Sequence, residues 1–315
     1  MGKKGLHVSY RQLGYLTDSV YLTVMQPRSR WIHPENRLEI LKVRKISFDL
    51  KDVEFIWNSS SPNFSVFANQ FSFWIIGLEK YFCKAILESD SLITNQSLRA
   101  EAALFVQQEA QHSLAHRAHV DALIKRYPSL QKTLDNTIQH YENLYEKECL
   151  DYHLAYVAGE AAFAPFFGMC IDNREAFFRK GDANVSSLFL WHFCEEIEHR
   201  SSGLKIYNHV VGGWWWKIRK LPSMIRHIEE CFAAISRDFQ KHVPASDWGN
   251  DINVFSNPLK DVSIKSRLRC VVGVLAAQMP WHNPAHTSVP GWVGKWSDSY
   301  EENQDMARFF GSDEP

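Results

Sequence analysis

The chain has 315 residues, 45% of them hydrophobic and 23% charged, with a formal net charge of −1. That length supports one large domain or two small ones with a sizeable core, and the near-zero charge argues against nucleic acid as the main partner. No apolar run attains the roughly 18 residues of a membrane span, and the basic start MGKKGLHVSYRQ lacks the apolar stretch of a signal peptide, so a cytoplasmic location is expected.

In chain order, residues 1–60 alternate in places (SVYLTV, 19–24; KISFDL, 45–50) and read as short strands or an extended arm. NSSSPN, 58–63, is a break. Helical periodicity then predicts helices near 65–90, 96–126, 130–172 with an interruption, and 184–211. RYPS, 126–129, and GDAN, 181–184, punctuate them, and the Gly212–Gly213 pair ends the fourth. Two further helices are expected at 222–243 and 259–279. From Trp281 onward the chain reads as a tail with loops. The expected division is an arm over 1–64, a helical domain over 65–280 and a tail over 281–315. WWWKIRKLP, 214–222, reads as a tryptophan-rich lid or turn packed on the helices, with a partner or membrane-surface contact as the alternative. The six cysteines (Cys83, Cys149, Cys170, Cys194, Cys231, Cys270) form no CxxC pair and read as reduced thiols.

The fourth helix contains WHFCEEIEHR, 191–200. At 100° per residue, His192, Glu196 and His199 fall on one stripe that continues through Val185, Leu188, Gly203 and Ile206. Its ends are apolar or small, so the stripe is a buried seam. Glu198 and Arg200 lie off it, and Glu195 borders it. QQEAQHSLAH, 107–116, gives a second seam: Leu98, Ala102, Phe105, Glu109, His112, His116, Val120, Leu123. Glu109/His112 and Glu196/His199 are both ExxH pairs, whose side chains face one way roughly 5–6 Å apart at Cβ and suit one metal ion. Glu79 sits in the apolar FWIIGLEKYFC, 73–83, and Glu160 in YVAGEAAFAPFF, 156–167.

A single ExxH is more often a surface pair than a metal site. Two of them in mid-seam, with a buried glutamate on each of two other helices, are far more specific. The chain order Glu, ExxH, Glu, ExxH is the ligand plan of dimetal carboxylate bundles, and an all-α, four-helix bundle core follows, with extra C-terminal helices. Unpaired core carboxylates cost several kcal/mol each, and two divalent cations balance four of them.

QEAQHSLAH, 108–116, and WHFCEEIEH, 191–199, resemble the hallmarks of a ferritin-like family known as predicted metal-dependent hydrolases, over roughly 65–280. The site is also similar to that of the di-iron arylamine N-oxygenases, which carry a third histidine where His192 stands. The resemblance implies metal ligation by Glu79, Glu109, His112, Glu160, His192, Glu196 and His199. His116 and Tyr156 are expected one layer further out. It implies two iron ions, manganese or zinc being compatible with the same donors, and a di-iron oxidase or oxygenase acting on a small, apolar substrate with O2 and an electron donor. Hydrolysis is the alternative, and iron storage the third reading. A homodimer is compatible with it, and Phe82, Cys83, Phe163, Phe167 and Phe193 are candidates for a dry wall.

Overall fold

The computed structural model describes residues 41–248 and 257–312; the alternating stretch 19–24 lies outside them. Eleven α-helices run through these residues: α1 (Pro62–Ser89), α2 (Gln96–Arg126), α3 (Leu130–Lys147), α4 (Leu150–Val157), α5 (Ala164–Asp172), α6 (Arg174–Phe177), α7 (Ala183–His199), α8 (Ser202–Val210), α9 (Trp214–His242), α10 (Ile264–Ala276) and α11 (Gly291–Glu301). No strand occurs among the described residues; one isolated bridge joins Asp182 to Ser312.

Residues 45–50, read as a short strand or part of an extended arm, lie in an extended strap over residues 41–50 with no assigned strand. The alternation is real, but among the described residues no second strand lies beside it to complete a ladder. Residues 44, 46, 48 and 50 turn toward the helices, and 45, 47 and 49 toward solvent. The strap is tied by its backbone, Asp49 N donating to Asn184 Oδ1 at 3.0 Å.

Pro62 opens α1 at a position where its missing N–H has no helical acceptor to lose. The Asn95 side chain accepts from Leu98 N at 3.0 Å to start α2, and Asp182 accepts from Val185 N at 2.9 Å to start α7. The short link between α1 and α2 folds one back along the other. Gly77 permits α1 to lie close on α3, since a Cβ there would meet Tyr141 Cδ2 at 2.8 Å. Gly203 does the same for α8 against α4, where a Cβ would stand 2.7 Å from Val157 O.

Three boundaries differ from the sequence reading. The fourth helix breaks at Arg200–Ser201 into α7 and α8. α9 begins at Trp214, not near 222, and carries Pro222 within it; Trp214–Trp216 are its first turn rather than a lid, with Trp215 68% exposed. α11 was not anticipated, because the Gly and Pro around it mask a short amphipathic turn that buries only Val293 and Trp296. The stretch Leu150–Asp172 is apolar enough, by length and composition, to pass for a membrane span (mean hydropathy 1.5), contrary to expectation. It is 67% buried inside the protein and is interrupted by a 3-10 turn, Ala158–Ala162.

The core runs continuously from Leu41 and Leu50 in the strap and Trp57 just before α1, through the helices, to Trp296 and Phe310. An aromatic cluster of Phe71, Phe167, Phe189 and Phe193 lies at its centre, Phe167 stacked on Phe193 at 4.8 Å. All six cysteines are free.

Candidate metal centre

The site side chains come from α1 (Glu79), α2 (Glu109, His112), the 3-10 turn (Glu160) and α7 (His192, Glu196, His199). All are buried, Glu79 and Glu160 at 0% and 3% exposure. Their ligand atoms form two overlapping groups: Glu79, His112, His192 and Glu196; and Glu109, His112, Glu196 and His199, each set within 4.8 Å. Glu196 belongs to both, as a bridging carboxylate does. His112 is also near both, but a neutral imidazole has one lone pair and serves one ion only.

Each histidine has one ring nitrogen tied to an outer partner while the other faces the carboxylates. His112 Nε2 lies 2.9 Å from Glu195 Oε2, leaving Nδ1 3.8 Å from Glu79 Oε1 and 3.7 Å from Glu196 Oε1. His192 Nδ1 lies 2.8 Å from His116 Nε2, leaving Nε2 3.1 Å from Glu196 Oε1 and 3.8 Å from Glu79 Oε1. His199 Nδ1 lies 2.7 Å from Glu160 Oε1, leaving Nε2 3.1 Å from Glu109 Oε1. Such outer bonds select the tautomer whose other nitrogen has a free lone pair.

The inward atoms fit a cation. Both oxygens of Glu79, Oε1 of Glu109, Nδ1 of His112 and the Nε2 atoms of His192 and His199 are buried without a hydrogen bond. The 3.1 Å approaches are too oblique for one: the atoms converge on shared space instead of pairing. Leaving so many buried polar atoms unmatched is costly, and divalent ions at those points remove the cost. Electrostatics agree. Burial, reinforced by Glu109 and Glu196, holds Glu79 well above the usual carboxylate range. Burial also raises Glu109 and Glu196, and lifts Glu160 to about 8. Burial opposes a charge on His199, but Glu196, Glu160 and Glu109 outweigh it and push its pKa well up. A cation supplies the positive charge that these protons otherwise provide.

Glu160 stands outside both groups, joined to them through His199; its Oε2 is buried without a partner. Tyr156, expected near the metals, turns away: its hydroxyl lies 3.2 Å from His227 Nδ1. It packs among Tyr81, Tyr141 and Tyr152, because α4 presents it to the α3–α9 side. His116 lies behind His192 and continues outward, Ser72 Oγ standing 2.9 Å from both His116 Nδ1 and His119 Nδ1. With Nδ1–H of His192 donating inward to outward, the hydrogens run His192 to His116 to Ser72 to His119. Of the wall candidates, Phe167 stands 6.0 Å from His192, while Phe163 packs on Trp74, Phe82 on Tyr156, and Cys83 points its thiol at Val106 O. Phe71 and Phe105 complete the wall against His192 and His199.

Two functional residues escaped the sequence reading. Arg44, from the strap, donates to Glu195 Oε1 at 2.9 Å and to both Glu198 oxygens at 2.8 Å, and lies against the Trp296 and Tyr300 rings of α11. Glu195 thus links Arg44 to His112. The available signals were an arginine in register with inward-facing 46, 48 and 50, and a Glu195/Glu198 pair spaced three apart on α7.

His119 allows a direct test of this outward chain. Burial lowers its pKa to about 3, so it folds neutral, while the unfolded side chain titrates near 6.5. The unfolded state therefore gains the proton first: stability is fully present above 6.5 and is lost as pH falls toward 3, by up to about 1.4 kcal/mol per unit. His119→Asn retains an acceptor for Ser72 but cannot titrate. Urea unfolding at pH 7 and pH 5 is expected to show a smaller acid loss in the variant, by about 2 kcal/mol. Equal acid losses would place the proton uptake elsewhere.

No curated protein and no solved structure matches this chain. Residues 42–283, a stretch that takes in Arg44 and every side chain of the centre, match the family described as predicted metal-dependent hydrolases, and the chain belongs to that family.

Proposed function

We propose that the protein is a dimetal-dependent hydrolase of a small organic ester or phosphoester. The observation that supports this reading most is the convergence of unpaired Glu and His atoms in two groups sharing Glu196, in a chain of a metal-dependent hydrolase family. Glu79, His112, His192 and Glu196 would hold one ion, and Glu109, Glu196 and His199 the other. Two divalent ions held by these residues would provide Lewis-acid chemistry and an acidified water for hydrolysis. The protein residues do the rest. Glu195, His116 and Glu160 fix the imidazole orientations. Phe71, Phe105 and Phe167 keep bulk water from the imidazoles.

A second reading, O2-dependent oxidation with two iron ions and an electron donor, is favoured by one observation: every donor is Glu or His, without aspartate or thiolate, against an aromatic wall. Metal-stripped protein reloaded with zinc, manganese or, anaerobically, ferrous iron separates the two. The zinc or manganese form is expected to cleave members of an ester and phosphoester panel, and the ferrous form to leave O2 untouched. Rapid O2 uptake by the ferrous form without hydrolysis by any form would replace the hydrolase reading with the second.

A further inference from the structure

A second group of metal-binding side chains lies between α3 and α9, apart from the carboxylate centre. His227 and Cys231 are one turn apart on α9 and face the same way; His140 reaches them from α3. One nitrogen from each histidine and the Cys231 Sγ lie within 4.8 Å of one another. His227 and Cys231 are 8% and 3% exposed, and His140 is half-buried at the outer edge.

The histidines point to a ligand independently of that proximity. His140 Nε2 and His227 Nε2 are both buried without a hydrogen-bond partner. His227 Nδ1 is engaged by the Tyr156 hydroxyl at 3.2 Å, which leaves Nε2 as its available donor atom. This is the same outer-partner arrangement that orients the histidines of the carboxylate centre. Two imidazole rings stacked at 4.3 Å, with neither Nε2 hydrogen-bonded, gain little from each other, whereas a shared cation satisfies both.

We propose that His140, His227 and Cys231 form a second, mononuclear site for a zinc-class ion, with a fourth position open. The donor chemistry separates it from the first centre. One thiolate and two imidazoles suit a borderline or soft ion, whereas the carboxylate-rich centre suits harder ones as well. Tetrahedral bonding brings ligand atoms to about 3.3–3.7 Å from one another, so the side chains close by about 1 Å from their present limit. His140 makes the larger movement, turning out of its stack on His227, because it is the least enclosed of the three. The ion takes the place of the Cys231 thiol proton, which is released to solvent. Bound there, it clips α9 to α3 across the face behind Tyr156.

Cobalt(II) is the probe, because a thiolate ligand gives a near-ultraviolet sulfur-to-cobalt charge-transfer band that carboxylate and imidazole ligands do not. Titration of the metal-stripped full chain is expected to develop that band to one equivalent per chain, and zinc to bleach it. Cys231→Ser is expected to abolish the band, and His140→Gln to weaken cobalt binding at this site at least tenfold. Cys83→Ser, near the carboxylate centre, is expected to leave the band unchanged. His140→Gln alters a half-buried position and keeps the test open if Cys231→Ser misfolds. Absence of the band in the folded wild-type chain, or its survival in folded Cys231→Ser, would overturn the proposal. A carboxylate centre that takes up cobalt without the band leaves the first reading intact and removes this one. The reverse result removes the first and retains the second.

Discussion

Glu196→Gln is expected to empty both halves of the carboxylate centre. Its side chain is common to the two candidate ligand groups, so one substitution would remove a donor from each. Metal content is expected to fall from two ions to fewer than one per chain, and activity by at least about 100-fold, beyond the 10–100-fold typical of losing an outer partner. Glu195→Gln, which leaves every candidate ligand in place and weakens the outer hold on His112 together with the pairing to Arg44, belongs in that milder range for metal loss. The metal-free stability separates ligand loss from misfolding. Burial holds Glu196 above the usual carboxylate range, so a neutral isostere relieves a penalty. Metal-free Glu196→Gln is therefore expected to unfold at the same denaturant concentration as metal-free wild type, or a higher one. A variant that loses metal and is also markedly less stable without it would argue for a structural role instead.

Arg44→Met is expected to destabilise the protein by about 3–5 kcal/mol, the range for breaking a buried ion pair from one side. Arg44 is 1% exposed and Glu195 0%, and the guanidinium is shared with the partly exposed Glu198. Burial opposes the charge on Arg44, but the two glutamates outweigh it and hold its pKa above the ordinary value. Removing the cation strands Glu195 at the His112 imidazole, so metal affinity is expected to fall together with stability. The triple change Arg44→Met, Glu195→Gln and Glu198→Gln leaves no unpaired charge and is expected to recover most of the stability but not the affinity. Denaturant midpoints measured at constant slope, with metal titrations alongside, test both halves. Full recovery of affinity in the triple variant would mean that Glu195 does not orient His112.

The candidate centre was legible in the sequence to the extent that local periodicity governs it. A helix repeats every 3.6 residues, so Glu109, His112, Glu196 and His199 could be placed on buried seams before any neighbour was known, and they lie there. α2 has the expected bounds for the same reason, with Asn95 capping its start. The apolar flanks of Glu79 predict a buried carboxylate, and α1 buries it. Glu160 was placed by the same logic, yet it sits on a 3-10 turn beside His199, because the α4–α5 stretch cannot stay helical through Ala158–Ala162 while Pro165 begins the next helix.

What the sequence by itself determined is therefore the helical class, the seams and the residue types that a metal centre needs. These follow from periodicity and from the expense of burying charge, both of which can be read along one chain. Tertiary structure alone decided who faces whom. Arg44 and Glu195 are 151 positions apart, and Tyr156 has its apolar flanks either way, whether it faces the carboxylates or His227. The strap at 45–50 alternates as a strand does, but a ladder needs a partner that only the fold can supply. His140 and Cys231 come together because α3 and α9 pack, and nothing in the spacing of one anticipates the other. Helix periodicity specifies a face; the partner of that face is set by how the helices pack around one core.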